Sequence, residues 1–134
     1  GSAGLRPTTW HPGMEAWGGT QFQTRFEKLA GRPARPLDFQ AWMALRALGE
    51  AAIRTRTADP AELRAYMLGG EFELAAFKGQ PLTFRPWNQQ LRQPILLTHD
   101  KLLVSVSPQE QYLHQRSRLD TLGYDAPESD CALN

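Results

Sequence analysis

A single cysteine, Cys131, stands among the 134 residues. No internal disulfide can therefore staple the fold, and nothing around it marks an activated thiolate. It reads as an incidental surface cysteine. An excess of charge of either sign is missing too. Fifteen Lys and Arg face fourteen Asp and Glu, a net charge of +1, which argues against nucleic acid or an anionic membrane as a partner. No apolar run approaches the roughly 18 residues that span a bilayer, so no membrane insertion is expected. The histidines, His11, His99 and His114, lack metal-ligand spacing. GxSxG, P-loop and GxGxxG patterns are absent. The acidic residues are dispersed and read mostly as solvated helix faces. The expectation is a chain that is no enzyme and has no metal or cofactor of its own.

What remains is ordinary globular material: 41% hydrophobic and 22% charged residues. The length suits one domain or a piece of a larger one. The chain opens without an initiator methionine. Gly1-Ser2 is a protease scar or native sequence, and a targeting signal could precede it.

The stretch 37–56, LDFQAWMALRALGEAAIRTR, organises the rest. At the helical period Ala41, Ala44, Leu45, Ala47, Leu48, Ala51 and Ala52 make one broad apolar stripe. Arg46, Glu50 and Arg54 make a narrow polar strip in which the glutamate can pair with both arginines. A helix this apolar is expected to be buried on more than one side. Gly49 inside it is unfavourable by about 1 kcal/mol against alanine, which predicts close approach of another backbone there.

Before it, residues 1–13 carry prolines and glycines that predict irregular structure. A helix is expected over 14–30, firm from Thr20, with Phe22, Phe26 and Leu29 on its inner face and Gly31 at its end. Residues 31–36, GRPARP, form a stiff connector. After the central helix, Asp59-Pro60-Ala61-Glu62 is a strong helix start, with Leu63, Tyr66 and Met67 inward and Gly69-Gly70 as the stop. Residues 72–77 fit either a short strand or a turn. Residues 82–85 alternate as a strand, and 95–97 with 102–106 form a hairpin turned by 98–101. A helical turn is expected near Tyr112. From Ser117 an irregular tail is tied down by Leu119, Leu122 and Tyr124.

Two tryptophans, Trp10 and Trp87, sit in loop-like stretches, and Trp42 sits on the central helix off the middle of its stripe. Aromatics of this kind either anchor loops to a core or stack on flat ligands. The loop arginines Arg6, Arg85 and Arg92 have the chemistry to clamp a carboxylate.

The order and spacing of three segments resemble one family. They are AGLRPTTWHPGMEAWGGTQFQTRFEKLAGRPAR, LDFQAWMALRALGEAAIRT and DPAELRAYMLGGEFELAAFKGQPLTFRPWNQQLRQPILLT. They resemble the C-terminal third of type I periplasmic solute-binding proteins of ABC transporters, of the branched-chain amino-acid-binding class. FKGQPLTFRPWNQQLRQPILL and LVSVSPQEQYLHQRSRLDTLG resemble a subgroup associated with pyrroloquinoline-quinone-dependent alcohol oxidation. The chain departs from the wider family at Arg85-Pro86-Trp87-Asn88, where an aspartate and a Gly-Asp turn are usual.

The resemblance implies an α/β fold, the C-terminal part of a two-lobe protein, with three helices plus a β-hairpin. It places 1–32 in the C-terminal lobe, 33–36 at a hinge crossover and 37–84 in the N-terminal lobe. Residues 85–116 are then the hinge return and the C-terminal-lobe hairpin, and 117–134 a tail. It implies a periplasmic location and an ABC permease as partner. It further implies a missing N-terminal portion or second chain to complete the cleft, and no binding by these residues as a lone monomer. The ligand would be a small molecule, with pyrroloquinoline quinone or an alcohol-derived metabolite as the candidates. Trp42 matches the family's cleft aromatic, with Trp10 and His11 as expected neighbours. The competing readings are a ligand-sensing module of the same fold in a regulator and a small interaction domain.

Overall fold

A computed structural model of the chain describes residues 4–122 and 124–131. Gly1 and Ser2 lie outside the described residues. The architecture is mixed α/β. Three α-helices, α1 (Gly19–Ala30), α2 (Pro36–Thr55) and α3 (Pro60–Leu68), join one antiparallel sheet. Its strands are β1 (Arg6–Thr8), β2 (Ile95–His99) and β3 (Leu102–Ser107), in the order β1-β2-β3.

α1 follows a 3-10 turn at Ala16–Gly18, so the regular helix starts late, as its glycines predict. Gly31, with φ +66°, ends it and donates its N–H to the Glu27 carbonyl. The expected inner face is only partly right. Phe22 is buried and Phe26 packs against the core, but Leu29 is 89% exposed. The core contacts stop one turn before the helix ends. Gln23 is buried beside Phe22. The Trp10 indole N–H donates to its Oε1 at 3.1 Å, and a buried indole needs such an acceptor.

α2 opens with Pro36 at its first position, where a missing N–H is harmless. The Asp38 carboxylate accepts both Arg32 guanidinium N–H groups, at 2.6 and 2.9 Å, and the Arg35 backbone N–H at 2.8 Å. The Arg32 hydrogen bond, then that of Arg35, lowers its pKa to about 2. The helix buries Phe39, Met43, Ala47 and Ala51, one file spaced four apart. Burial on several sides does not occur. Leu37 is 77% exposed, Leu45 71% and Leu48 46%. The other described elements cover the file that begins at Phe39 and the Trp42 ring beside it. A Cβ built on Gly49 meets nothing within 4 Å, so no backbone approaches there. Glu50 pairs with Arg54 alone, at 2.9 Å; Arg46 instead lies over the Trp42 ring.

α3 starts as its sequence predicts, with the Asp59 carboxylate accepting the N–H groups of Ala61 and Glu62. Its inward side is half-buried rather than buried, with Tyr66 and Met67 packed on the core. The extended run after it buries every second residue: Phe72, Leu74, Ala76 and Lys78. Two isolated bridges, Leu74 with Leu82 and Phe84 with Leu91, replace the expected strand over 82–85. Pro81 and Pro86 bracket this stretch and cannot donate to a ladder.

The hairpin forms as expected, with Asp100 at φ +53° in its turn. The first residues, expected to be irregular, supply β1 against β2, with Arg6 opposite Thr98. Pro7 is tolerated because β1 is an edge strand. A 3-10 turn forms at Glu110–Tyr112. The tail holds two more, at Arg118–Thr121 and Ala126–Glu128. Leu119 is buried, but charge fixes the tail as well. Arg85 and Arg92 each donate from Nε to Asp120 at 2.8 Å, and Arg85 also caps the carbonyls of Leu119 and Leu122. The arginine chemistry foreseen for a ligand carboxylate is spent on the chain's own.

One hydrophobic cluster ties these parts together, running from Trp10 through Phe22, Phe39 and Met43 to Phe72, Leu82, Leu96 and Leu119. Among the described residues no helix is long and apolar enough to cross a membrane.

Candidate functional site

Four rings form a ladder from the core outward. Trp10 stacks on Phe39 at 4.5 Å, Phe39 on Trp42 at 5.7 Å, and Trp42 on Phe77 at 5.5 Å, with interplanar angles of 18°, 28° and 21°. Offset stacks of this kind contribute about 0.5–1.5 kcal/mol each beyond area burial. The inner end is sealed, since Trp10 is 1% exposed. The outer end opens into a cleft of about 800 Å³, lined among others by Trp17, Trp42, Phe77, Arg25, Arg46 and Gly79.

Two left-handed positions shape the cleft rim. Trp17 has φ +51° and stands 56% exposed, and Phe77 has φ +56°. Such angles are unfavourable for bulky residues and persist only where surroundings over-determine them. The neighbour of the Trp17 ring is Gly79, at φ +80°. A Cβ there would fall 2.6 Å from the indole, so only glycine leaves room for the ring. Strained backbone of this kind clusters at ligand-binding and active sites.

Electrostatics favour an anionic group. The Arg46 guanidinium lies 5.9 Å above the Trp42 ring centre, a cation–π geometry that keeps it over the aromatic floor. Among the described residues neither Arg25 nor Arg46 has an ion-pair partner. Glu73 is the acidic residue on the same rim. Lys78 borders the cleft but points inward. Its Nζ donates to the carbonyls of Thr9 and Pro94 and lies 5.0 Å over the Phe39 ring. Burial lowers its pKa to about 8.

The expected trio of Trp42, Trp10 and His11 is not gathered at one place. Trp42 is in the aromatic cleft. Trp10 is a core residue with almost no surface to offer. His11 lines a second, smaller hollow of about 400 Å³ together with the edge of Trp10, Pro33 and Arg35, and its Nδ1 accepts the Gly13 N–H at 3.0 Å. Phe39 separates Trp10 from Trp42, because the helical period puts residues 39 and 42 on adjoining faces while Trp10 inserts from the loop. Trp87, the other loop tryptophan, is half-buried beside His114 and Arg92 at a hollow of about 530 Å³. Sequence reasoning missed Trp17, Phe77 and the two arginines. The available signal was the pair of aromatic-glycine pairings, Trp17-Gly18 and Phe77-Lys78-Gly79, whose glycines and aromatics interlock in space.

Among the described residues no group of three His, Cys, Asp or Glu could hold a metal ion. No protein-family model, no curated protein and no solved structure matches the chain.

Proposed function

We propose that the chain is the C-terminal portion of a type I periplasmic solute-binding protein that delivers a small molecule to an ABC permease. The observation that carries this reading is the cleft itself. It offers an aromatic floor at Trp42 and Phe77, an exposed indole at Trp17, and Arg25 and Arg46, which have no ion-pair partner among the described residues. That combination suits a flat body carrying an acidic group. Pyrroloquinoline quinone and carboxylic acids derived from alcohols are the ligands to try. Pairing of β1 with β2 joins the first residues to the final hairpin, in line with assigning both to one lobe. The apolar outer face of α2 has no cover among the described residues, in line with a further lobe.

Titration by tryptophan fluorescence tests the reading. The natural full-length protein is expected to bind one of these ligands saturably, and Trp42→Ala and Arg46→Ala each to weaken binding by more than a few-fold. The 134-residue chain alone is expected not to bind. Affinity unchanged in both variants, or binding by the lone chain as a monomer, overturns the reading.

A further inference from the structure

The aromatic cleft does not end at Glu73. That residue also borders a hollow of about 430 Å³, together with Glu50, Arg54, Tyr66 and Glu71. Cleft and hollow thus run on as one groove with two walls. One wall is the α2 file Trp42, Arg46, Glu50 and Arg54, spaced four apart and so on one side of the helix. The other is the stretch 71–77, whose burial alternates from Phe72 to Ala76 as that of an extended chain does. Trp42 and Phe77 meet at one end, and Arg54 and Glu71 line the other.

Charge is sorted along this groove. Arg25 and Arg46 stand at the aromatic end, Glu73 at the junction and Glu71 beyond it. Among the described residues none of the four has an ion-pair partner, whereas Glu50 and Arg54 neutralise each other. A groove positive at one end and negative towards the other is complementary to a zwitterion laid along it. From Arg46 to Arg54 the helix advances about 12 Å, and three residues of extended chain span about 10 Å. A single amino acid holds both charges on one carbon and cannot reach both ends.

The extended wall has backbone to spare. Leu74 exchanges both of its backbone hydrogen bonds with Leu82, at 2.9 and 3.0 Å. In an extended strand the N–H and C=O groups of the flanking residues, Glu73 and Ala75, then point to the opposite edge. Among the described residues no backbone hydrogen bond reaches them. Both residues are exposed, and both line the groove. An unpaired edge of this kind is a template to which an extended peptide adds.

We propose that the groove takes a short extended peptide of about three residues, ending in an aromatic residue with a free carboxylate. The carboxylate pairs with Arg25 and Arg46. The terminal ring stacks at Trp42 and Phe77. The peptide backbone bonds to the edge at Glu73 and Ala75, and the terminal ammonium faces Glu71 and Glu73. The proposal rests on the reading of this cleft as the solute site and adds the class of solute, since an aromatic residue with a free carboxylate is a flat body carrying an acid.

Calorimetric titration of the natural full-length protein with the tripeptide alanyl-alanyl-phenylalanine tests it. Saturable binding is expected. Amidating the C-terminus should weaken binding roughly tenfold, and acetylating the N-terminus about threefold. In Arg46→Gln the acid and the amide should bind alike. In the double variant Glu71→Gln, Glu73→Gln the free and acetylated peptides should bind alike. All three side chains are exposed, and an unchanged circular-dichroism melt checks that the fold is kept. Acid-to-amide discrimination that survives Arg46→Gln, or 3-phenylpropionate binding as tightly as the tripeptide, overturns the proposal. Binding of pyrroloquinoline quinone or an alcohol-derived acid without binding of the tripeptide overturns it too, and leaves the solute-site reading standing. Binding of none of these ligands overturns both.

Discussion

Phe39 and Asp120 are both shut away from water, and they are held by opposite physics. Phe39 is fully buried among Trp10, Phe22 and Trp42 at ring separations of 4.5, 5.3 and 5.7 Å. Asp120 lies between two guanidinium groups, its Oδ1 accepting an Nε–H hydrogen bond from each at 2.8 Å. The aromatic side is non-directional: many weak contacts, tolerant of pH and salt. The ionic side depends on completeness. The Arg85 guanidinium donates to Asp120, Gln90, Leu119 and Leu122, which satisfies its fork. A buried pair so completed is stable as a unit and costly to halve. The helical part of this protein is thus packed together, whereas its tail is bonded on.

The contrast is sharpest under truncation. Phe39→Ala should lower stability by about 4 kcal/mol, as loss of a core ring does, and urea unfolding should shift as one transition. Asp120→Ala should lower it by about 3 kcal/mol by leaving the buried Arg85 and the half-buried Arg92 without their anion. Its first sign should be local. Limited proteolysis should cut residues after 117 faster than the helices, whereas Phe39→Ala loosens both. Equal proteolytic protection of the tail in the two variants breaks the comparison.

Lys78 joins the two regimes, a buried cation among aromatic rings. Its pKa in the fold is depressed below that of the unfolded chain, so the unfolded state binds more protons between about pH 8 and pH 10.5. Stability should therefore rise with pH through that window, by an amount on the order of 2 kcal/mol. A neutral amine keeps two N–H donors, enough for Thr9 and Pro94. Lys78→Met should flatten the rise; an equal slope in wild type and variant refutes the assignment. Asp38 has the opposite sign. Its lowered pKa means that its contribution is present above about pH 4 and is lost as pH falls towards 2.

The smallest effect belongs to the far end of the tail. His114 Nδ1 accepts the N–H groups of Arg116 and Ser117, which leaves Nε2–H to donate to Asp125 at 2.9 Å. Both side chains are partly exposed, so His114→Ala should lower stability by about 1 kcal/mol. Chemical-shift changes confined to residues after 113 would check that the effect is local.

The helices and the hairpin were legible because their signals are local. Asp59-Pro60 caps α3, Gly31 stops α1, and β-rich runs mark β2 and β3. The faces of α2 were not. Its alanines and leucines are apolar on both sides, and period alone cannot tell the file at Phe39, Met43, Ala47 and Ala51 from the stripe at Leu37, Ala41 and Leu48. That choice is made in space by Trp10, Phe22 and Lys78, which meet Phe39. The cleft was half legible. Trp42 could be picked out as an aromatic off the stripe. Trp17 and Phe77 owe their positions to left-handed backbone and to glycines some 60 residues apart, which no local pattern encodes. The fixing of the tail was missed for the same reason, since Arg85 and Asp120 meet only in three dimensions.

The pairing of β1 with β2 bears on the order in which the chain assembles. The Thr98 hydroxyl donates to the Arg6 carbonyl across 92 residues of sequence, whereas β2 and β3 are joined by a two-residue turn. Closing the long loop loses far more chain entropy than closing the hairpin, so the hairpin should form early and β1 dock late. Until it docks, β2 presents an unpaired edge, the kind of surface to which strands of other molecules add. β1 thus acts as a late-closing guard for the sheet. Removing it should show itself in clumping during refolding more than in a lower melting temperature.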